Sequence, residues 1–406
     1  MQPLSNELSY HGQWEVKDVG TTEKSQMTKL RMGMVGGGEG AFIGPVHRIA
    51  AELDGEIELV CGAFASEPKR SVRSGRELYG LPEERCYPDF REMFAVEADR
   101  SPDKQMQFVV ITTPNHVHYP VAKAALEAGF HVVCDKPVTH SLEEAEHLAE
   151  LVSASGLLFG LTHNYTGYPM VKEARNLVRS GVFGPVRRVV CEYLQGWLAE
   201  DIDSKQADWR TDPARAGVAG CFGDIGSHGE NLLEYVTNLR ITELCADLTT
   251  FVPGRQLDDD GNVLLRFATG AKGVLFASQI AVGEENGLKL RVYGERGGLE
   301  WSQTEPNSLI VRWPDRPFEV RRTGGPGLSA AALNATRLPA GHPEGYLEAF
   351  AVLYRNFASA LRATLSGADP NPEMLDFPTI DDGVRGMRFI SAVVASSQRG
   401  GQWLTV

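Results

Sequence analysis

Short apolar runs alternate with amphipathic segments along the first part of the chain. The apolar runs have the length and the content of strands buried on both faces of a sheet, and they cover residues 30–35, 57–63, 108–111, 130–134 and 157–161. The segments between them are predicted to be helices, at 45–53, 121–128 and 141–154. Strands that alternate with helices form a parallel sheet with helices on both faces. Residues 30–162 are therefore predicted to form a doubly wound, dinucleotide-binding domain.

The pattern changes after residue 162, where strands follow one another with few helices between them. After a helix at 170–179, strands are predicted at 186–193, 244–252, 262–267, 273–279 and 289–293. Such runs indicate an antiparallel sheet, and the residues ATGAK between the third and fourth of these strands suit a hairpin connection. Residues 324–343 are rich in glycine, alanine and proline and are predicted to form a long loop. Helices at 344–363 and 381–397 close the chain.

These patterns predict an α/β fold in three parts. Residues 1–29 are polar and lack the apolar core of a secretory signal, so we expect an N-terminal arm that is disordered or packs on a neighbouring subunit. Residues 30–162 form the cofactor domain, and residues 163–406 form a domain for substrate binding and oligomerisation. One face of its sheet is expected to cover helices and the other to pair with another subunit, giving a homodimer or homotetramer.

Composition and charge argue against several classes of protein. Of the 406 residues, 42% are hydrophobic and 23% are charged, as in globular proteins, and no apolar stretch approaches the roughly 20 residues of a membrane span. The net charge is -13, from 40 basic and 53 acidic residues, which argues against a nucleic-acid surface. The six cysteines are scattered without a C-x-x-C pair, so we expect reduced, mostly buried thiols and a cytoplasmic location.

A glycine-rich stretch, GGGEGAFIGPVH, directly follows the first predicted strand. Glycines between a strand and a helix let the backbone turn tightly and approach a pyrophosphate, which the amide groups at the helix start then bind. The turn is longer than G-x-G-x-x-G, so either Ala41 or Gly44 could be its third small residue, and we favour Gly44 because it directly precedes the helix. The turn residues in the predicted cofactor site are Gly36, Gly38, Phe42, Ile43 and Gly44.

The residues after the second strand bear on the choice between NAD and NADP. An NAD-specific domain usually places an acidic residue there, where it binds the ribose 2′-hydroxyl. Here Ser66 follows the strand, Glu67 comes one step late, and Lys69, Arg70 and Arg73 are close behind. Ser66 and the basic residues could bind a 2′-phosphate, or the basic residues could only solvate a helix face. Because no arginine directly follows the strand, NAD is slightly favoured, with Ser66 and Arg70 as contacts.

Polar residues also follow the third strand, in the sequence TTPNHVH. Because ligands of open α/β sheets bind outside the carboxyl ends of the strands, these residues are predicted to contact the cofactor. The alternative is a proline turn with an ordinary helix cap. The predicted contacts are Thr113, Pro114, Asn115 and His118.

The fourth strand ends in Asp135-Lys136-Pro137. A lysine at a strand end can orient a hydroxyl, donate a proton or hold an anion. A surface lysine beside a turn proline would be the better interpretation if Lys136 stood alone. Asp135 and Lys136 are both included in the predicted cofactor site.

Asp224 and His228 lie in the sequence GDIGSH, which precedes an amphipathic helix. Four residues apart, they share one helix face near its start and can contact the same small molecule. An imidazole and a carboxylate suit proton transfer, with the carboxylate binding hydroxyls or orienting the imidazole. The alternatives are an aspartate cap and a solvated histidine. Zinc would need further ligands that the sequence does not offer, so no metal is predicted.

The glycine-rich turn, T-P-N, D-K-P and G-D-I-G-S-H, in this order and at these separations, resemble the glucose–fructose oxidoreductase / inositol dehydrogenase (Gfo/Idh/MocA) family. The resemblance covers roughly residues 30 to 405. It implies a Rossmann domain joined to an α/β domain with an open, mainly antiparallel sheet, and the use of NAD or NADP on secondary alcohols of sugars and cyclitols. Departures are the longer glycine turn, the missing acid after the second strand, the N-terminal arm, and Asp135 in place of a glutamate.

The resemblance also implies roles for three catalytic residues, Lys136, Asp224 and His228. Hydride transfer would link a ring carbon to C4 of the nicotinamide, while His228 takes the hydroxyl proton and Lys136 hydrogen-bonds the same oxygen. Lys136 could itself be the base, because desolvation beside an oxidised nicotinamide favours the neutral amine. Aromatic and polar residues are added for a polyhydroxylated ring. The predicted substrate contacts are Lys136, Asn164, Tyr165, Trp209, Arg210, Asp224, His228, His342 and Tyr346.

Three functions are compatible with these features. The first is an NAD(P)-dependent dehydrogenase acting on a sugar, glycoside or cyclitol. The second is a glycoside hydrolase or lyase that oxidises its sugar transiently with a tightly held NAD. The third is a regulator that senses NAD(P), which would have no need of an acid/base pair. The retention of Lys136, Asp224 and His228 favours the dehydrogenase.

Overall fold

The computed structural model describes residues 28–406, which form two sheets with helices around them. Except for its last two residues, the predicted N-terminal arm, residues 1–29, lies outside the described residues. Lys29 leads directly into the first strand. The division of the chain at residue 162 stays a prediction, although the change from one sheet to the other falls close to it.

Five parallel strands form the first sheet, in the order β2-β1-β3-β4-β5. This confirms the predicted doubly wound arrangement. β1 pairs with β2 on one side and with β3 on the other, so the direction of the strand order reverses there. The carboxyl ends of β1 and β3 therefore flank the crevice in which such sheets bind ligands. The strands are β1 Leu30–Gly36, β2 Ile57–Ala63, β3 Phe108–Thr112, β4 His131–Cys134 and β5 Phe159–Leu161.

The helices of this half include two that the sequence analysis did not identify, α2 and α3, which have short or weakly periodic apolar patterns. α4 begins at Asn115 rather than at residue 121, so the predicted start was wrong. The helix continues through Pro120, which removes one backbone donor but does not end the helix here. The helices are α1 Ile43–Glu52, α2 Pro68–Glu77, α3 Phe90–Ala98, α4 Asn115–Glu127 and α5 Leu142–Ser155.

Nine strands form the second sheet, in the order β13-β12-β11-β10-β6-β9-β8-β7-β14. Neighbouring strands are antiparallel except for β6 and β9, which are parallel, so the mainly antiparallel sheet is confirmed. The strands are β6 Val186–Leu194, β7 Ile241–Thr249, β8 Asp260–Phe267, β9 Lys272–Ser278, β10 Gly287–Gly294, β11 Gly298–Ser302, β12 Ser308–Arg312, β13 Glu319–Arg322 and β14 Leu404–Thr405.

β7 lies three residues earlier than predicted, because the apolar pair Phe251 and Val252 does not belong to the strand. Their amide groups donate to the carboxylate of Asp259, at 2.8 and 3.0 Å. A side chain thus takes the donors that a continued strand would offer to its neighbour.

The remaining helices lie around the second sheet or return to the first. The predicted loop at 324–343 was partly wrong, because it contains the short helix α10, capped by the Ser329 side chain. Alanine has the strongest helix propensity and accounts for this helix in a segment otherwise rich in loop residues. The helices are α6 Pro169–Arg179, α7 Lys205–Arg210, α8 Pro213–Ala216, α9 Ser227–Thr237, α10 Ala330–Ala335, α11 Tyr346–Leu365 and α12 Ile380–Gln398.

One face of the second sheet is buried against α6, α9 and α12. Along β6 the buried residues are Val189, Cys191 and Tyr193, and they alternate with the half-exposed Val190 and Glu192. The second face is therefore left uncovered by the residues that the structure describes. The homodimer or homotetramer expected through this face stays a prediction.

α11 packs on the first sheet although it lies near the end of the chain. Phe350, Tyr354 and Phe357 of this helix share one buried apolar cluster with Met32 and Phe108 of the sheet. The rings of Phe108 and Phe357 lie 5.3 Å apart. The first sheet thus depends on the second half of the chain for part of its core.

The six cysteines are free, and five of them are buried. This agrees with the expected reduced, mostly buried thiols. Burial raises the pKa of each buried thiol, which makes the reactive thiolate scarce. No helix within residues 28–406 has both the length and the apolar content needed to cross a bilayer.

Candidate active site at the carboxyl ends of the parallel strands

The glycine-rich turn has the geometry of an anion-binding loop. Gly36 and Gly37 have φ angles of 91° and 75°, which non-glycine residues rarely adopt. A Cβ atom on Gly44 would lie 2.3 Å from the Cα atom of Gly37, so the helix start packs directly on the turn. This close approach supports Gly44, rather than Ala41, as the third small residue.

The amide groups at the start of α1 are available to a ligand. No side chain caps this helix, and its first turn holds no acidic residue. By contrast, Glu67, Asp89 and Ser141 cap α2, α3 and α5 with their side chains. Free amide groups and a partial positive charge at the helix start suit a pyrophosphate. The turn and α1 therefore fit a dinucleotide.

Four other residues predicted to bind the cofactor lie around this turn. Phe42, just before α1, is 61% exposed, and Ile43 begins the helix. Ser66, after β2, is exposed. Arg70, on α2, donates to the backbone carbonyl of Glu39 at 2.7 Å.

The T-P-N turn connects the first sheet to two other segments. Asn115 is buried and donates to the backbone carbonyl of Ala216 at 2.8 Å, which ties the start of α4 to the second half of the chain. The ring nitrogens of His118 lie 2.7 and 2.8 Å from the carbonyl oxygens of Pro137 and Thr113. Burial lowers the pKa of His118, so its neutral ring donates to one carbonyl at a time. His118 thus holds the T-P-N and D-K-P turns together.

Asp135 and Lys136 follow β4, and the peptide bond between Lys136 and Pro137 is cis. Asp135 Oδ1 accepts from the hydroxyl of Thr162 and from the amide of Lys136, both at 2.9 Å. The ammonium of Lys136 points away from Asp135 and donates to Asp224, at 2.8 Å to Oδ1 and 2.6 Å to the backbone carbonyl. A lysine of the first sheet is therefore fixed on a carboxylate of the second half of the chain.

Asp224 lies in one π-helical turn, Phe222–Gly226, directly before α9. The sequence predicted a regular helix at Asp224, so this detail was wrong. Its Oδ2 accepts from Arg210 Nε at 3.2 Å and from Gln279 Nε2 at 2.9 Å. Burial raises the pKa of Asp224, but the cations of Lys136 and Arg210 outweigh burial and hold the pKa well below its usual range. Asp224 is thus an ionised anchor, not a proton acceptor.

His228 lies on α9 in an almost fully buried position, with 7% of its surface exposed. Its ring packs edge-on against His163 and Tyr165, with centroid distances of 5.3 and 4.8 Å. Burial lowers the pKa of His228 far below its ordinary value, and the nearby charge of Lys136 adds to this effect. Within the described chain, Nδ1 of His228 has no hydrogen-bond partner. The neutral imidazole is therefore able to accept a proton.

The wall beside His228 is a network of phenols and amides. Tyr165 and Tyr193 share a hydrogen bond of 2.5 Å between their hydroxyl oxygens. Tyr193 donates to Asn286 Oδ1 at 2.7 Å, and the amide of Asn286 donates to Tyr165 at 3.2 Å. Such a closed network fixes the rings and leaves a polar surface beside the imidazole.

The other predicted substrate residues divide into two groups. Arg210 reaches Asp224 and stacks on Trp209, with its Cζ 4.3 Å from the ring centroid. The ring of Tyr346 lies 6.4 Å from that of Tyr165. Asn164, which precedes Tyr165 in the chain, is buried. His342 is exposed, and its Nδ1 contacts the carbonyl of Pro339 in its own loop at 3.1 Å. No contact in the described chain joins His342 to this site.

Several site residues were not predicted, namely His163, Tyr193, Gln279 and Asn286. His163 follows a strand end as Lys136 does, so its position was a signal that could have identified it. Gln279 follows β9, far along the chain from Asp224, and only the strand order brings them together. Within residues 28–406, no group of three or more His, Cys, Asp and Glu side chains is placed to hold a metal ion.

Two family models match the chain. A model described as an oxidoreductase family with an NAD-binding Rossmann fold matches residues 30–163. A model of the GFO/IDH/MocA C-terminal domain matches residues 171–300. The predicted NAD-binding Rossmann domain is confirmed by the first match.

Similar proteins share nearly the whole chain. The uncharacterized oxidoreductase YfiI of Bacillus subtilis is 35% identical over 381 residues, covering 92% of this chain and 96% of YfiI. A solved oxidoreductase from Sinorhizobium meliloti is 49% identical, with a TM-score of 0.84 and coverage of 93% of this chain and 99% of that one. An inositol dehydrogenase homolog from Azotobacter vinelandii, solved with NADH and myo-inositol, is 36% identical, with a TM-score of 0.86 and coverage of 93% and 98%.

Proposed function

Because the chain belongs to the Gfo/Idh/MocA family of NAD-binding oxidoreductases, we propose that it transfers a hydride between NAD and a secondary alcohol carbon of a cyclitol or sugar. One observation carries the proposal. Lys136, which follows β4 of the first sheet, donates to Asp224. Asp224 lies about one helical turn before His228. The side chain of Lys136, which can donate a hydrogen bond to a substrate oxygen, and the imidazole of His228, which can accept a proton, thus face one crevice. NAD supplies the hydride acceptor in this reaction.

Lys136 positions the reacting oxygen in the proposed mechanism. Two of the three N–H groups of its ammonium point to Asp224, which leaves one for the substrate hydroxyl. As the carbon is oxidised, negative charge develops on that oxygen and the ammonium stabilises it. Asp224 keeps the ammonium in place, and Arg210 and Gln279 keep Asp224 in place.

His228 takes the hydroxyl proton in the same step. The side chain of Lys136 donates two hydrogen bonds to Asp224, which orients it as a hydrogen-bond donor. The imidazole of His228 is neutral and buried among aromatic rings. These observations favour His228 over Lys136 as the proton acceptor, the alternative that the sequence left open.

The substrate class is supported by the composition of the wall. Tyr165, Tyr193 and Asn286 offer hydroxyl and amide groups, and Trp209 offers an aromatic face that Arg210 stacks on. Such a mixture suits a ring with several hydroxyl groups. The relative solved with myo-inositol is consistent with a cyclitol.

A screen of the full-length protein tests this proposal. Nicotinamide absorbance is followed with inositols, glucose, glucosides and their keto forms, with NAD and NADP in turn. We expect turnover on at least one cyclitol or sugar, and a loss of roughly a hundredfold or more in kcat for His228→Ala. His147→Ala, at an exposed histidine of α5, is the matched control and should keep wild-type kcat. Tightly bound cofactor without net NADH formation on any substrate would contradict the proposal.

The pH profile of alcohol oxidation gives a further prediction. His228 must be neutral to accept the proton, and its pKa lies well below the ordinary 6.5. As the pH falls through 6.5, the imidazole therefore stays neutral and kcat/KM should stay level, declining only at more acidic pH. The low pKa of Asp224 preserves its ion pair with Lys136 over the same range. An acid limb centred at or above pH 6.5 would argue against His228 as the acceptor.

A further inference from the structure

The region beyond β2 lacks the acidic residue that usually binds the ribose 2′-hydroxyl, but the glycine turn supplies one. We propose that Glu39 binds this hydroxyl and makes the protein prefer NAD to NADP. The inference rests on the proposed NAD-dependent function and names a residue that determines which of the two cofactors the protein prefers. It concerns the adenosine end of the cofactor, away from the reacting carbon.

The position of Glu39 is fixed against the end of β2. The amide of the preceding Gly38 donates to the carbonyl of Phe64, one residue past β2, at 3.0 Å. A Cβ atom on Gly38 would lie 2.4 Å from that carbonyl oxygen, so the turn and the strand end are in direct contact. The amide of Glu39 lies 3.3 Å from the hydroxyl of Ser74 on α2. Glu39 therefore lies where an acid at the end of β2 would lie.

The acid that follows β2 in the sequence has another role. Glu67 caps α2, and its two carboxylate oxygens accept from the amides of Lys69 and Arg70, at 3.0 and 2.7 Å. A carboxylate with both oxygens on its own helix is committed to that helix. Its cap also takes the amide groups that a 2′-phosphate would use at the start of α2. Glu67 is thus not the group that binds the ribose.

Glu39 also pairs with Arg70 and Arg73, two of the basic residues that suggested NADP. Its Oε2 lies 2.9 Å from Arg73 and 3.7 Å from Arg70, and its backbone carbonyl accepts from Arg70 and Lys205, at 2.7 and 2.8 Å. The hydrogen bond from Arg73 holds the pKa of Glu39 below its usual value, so the carboxylate is ionised at neutral pH. Without that carboxylate, the same three cations would form a site for a phosphate dianion.

The negative charge of Glu39 should favour NAD, and the positive charges around it should favour NADP. A variant that removes the negative charge separates the two effects. The Glu39 carboxylate accepts a hydrogen bond from a 2′-hydroxyl but repels a 2′-phosphate at the same place. In Glu39→Gln, the backbone carbonyl still binds Arg70 and Lys205, so the turn is retained, while Arg73 loses the negative charge that neutralises it. The variant should therefore lose affinity for NAD+ and gain affinity for NADP+.

Calorimetric titration of the full-length protein with NAD+ and with NADP+, without substrate, tests this inference. For Glu39→Gln we expect the ratio of the two dissociation constants to move toward NADP+ by roughly tenfold to a hundredfold, since hydrogen bonds to charged groups have this effect on binding. Glu77→Gln is the matched control, because it removes an exposed carboxylate at the far end of the same helix, α2. It should leave both the ratio and the melting temperature unchanged. Adding Arg73→Ala to Glu39→Gln should remove the gain in NADP+ affinity.

Two results would overturn the inference. One is a wild-type protein that binds NADP+ more tightly than NAD+. The other is a Glu39→Gln protein with the wild-type ratio of dissociation constants and the wild-type melting temperature. Because the titrations contain no substrate, a wrong substrate class in the proposed function leaves these results unchanged, and the two proposals can fail separately.

Discussion

Lys136→Met should lower kcat roughly a thousandfold, which corresponds to about 4 kcal/mol of transition-state stabilisation. Methionine has nearly the length of lysine but no N–H group, so the oxygen that loses its proton also loses its stabilising charge. Asp224 keeps Arg210 and Gln279 as partners, which preserves the turn before α9. The measurement is the rate of NADH formation with saturating substrate and cofactor.

Binding measurements separate this effect from a general loss of structure. NAD+ should bind the Lys136→Met variant within a few-fold of wild type, because the pyrophosphate contacts lie at the glycine turn. Lys123→Met is the control, since Lys123 is a half-exposed lysine of α4 that, among residues 28–406, pairs with the surface residue Glu127 alone. Its kcat should equal that of wild type. A Lys136→Met enzyme with turnover within tenfold of wild type would refute the assigned role.

Gly44→Ala should lower the affinity for NAD+ at least roughly a hundredfold, the equivalent of two hydrogen bonds to a charged pyrophosphate. The added Cβ would lie 2.3 Å from the Cα atom and 2.9 Å from the carbonyl oxygen of Gly37. Both are backbone atoms that no side-chain rotation can move. The start of α1 must therefore shift away from the turn, which separates the amide groups that hold the anion. The free energy of unfolding should fall by about 2 kcal/mol.

The same substitution elsewhere should have the opposite sign. Gly386 lies within α12, and among the described residues a Cβ atom there would meet only Glu230 Oε2, at 3.8 Å. Gly386→Ala should therefore raise the free energy of unfolding by about 0.5 to 1 kcal/mol, as helix propensity and chain entropy dictate. Urea unfolding of the two variants compares them directly. Equal effects in both would mean that the contact between Gly44 and Gly37 does not constrain the chain.

The sequence predicted the first sheet well, because each of its strands has a local signal in the sequence. Each strand of that sheet is a short apolar run that ends at a polar or glycine-rich turn, and Lys136 could be identified from its place after β4. The spacing of Asp224 and His228 predicted a shared helix face, and the resemblance to the family implied their roles. The sequence pattern did not predict the type of turn at Asp224, because a π-helical turn has no distinct apolar period.

Residues joined by tertiary contacts could not be predicted in this way. Gln279 becomes a partner of Asp224 because β9 lies in the middle of the second sheet, an order that periodicity does not reveal. Glu39 was overlooked because an acid was sought after β2 in the sequence, whereas the turn places one beside that strand end in space. His342 was included because of its polar neighbours, and the structure places it in an exposed loop.

The packing of α11 on the first sheet has a consequence for synthesis of the protein on the ribosome. β5 ends at Leu161, but the helix that completes the core around Met32 and Phe108 ends at Leu365. About 200 further residues must be made before that helix is available, which takes roughly 10 to 40 s at typical rates of elongation. During this interval the nascent chain exposes the apolar surface that α11 later covers. The first domain to emerge is thus among the last to be completed.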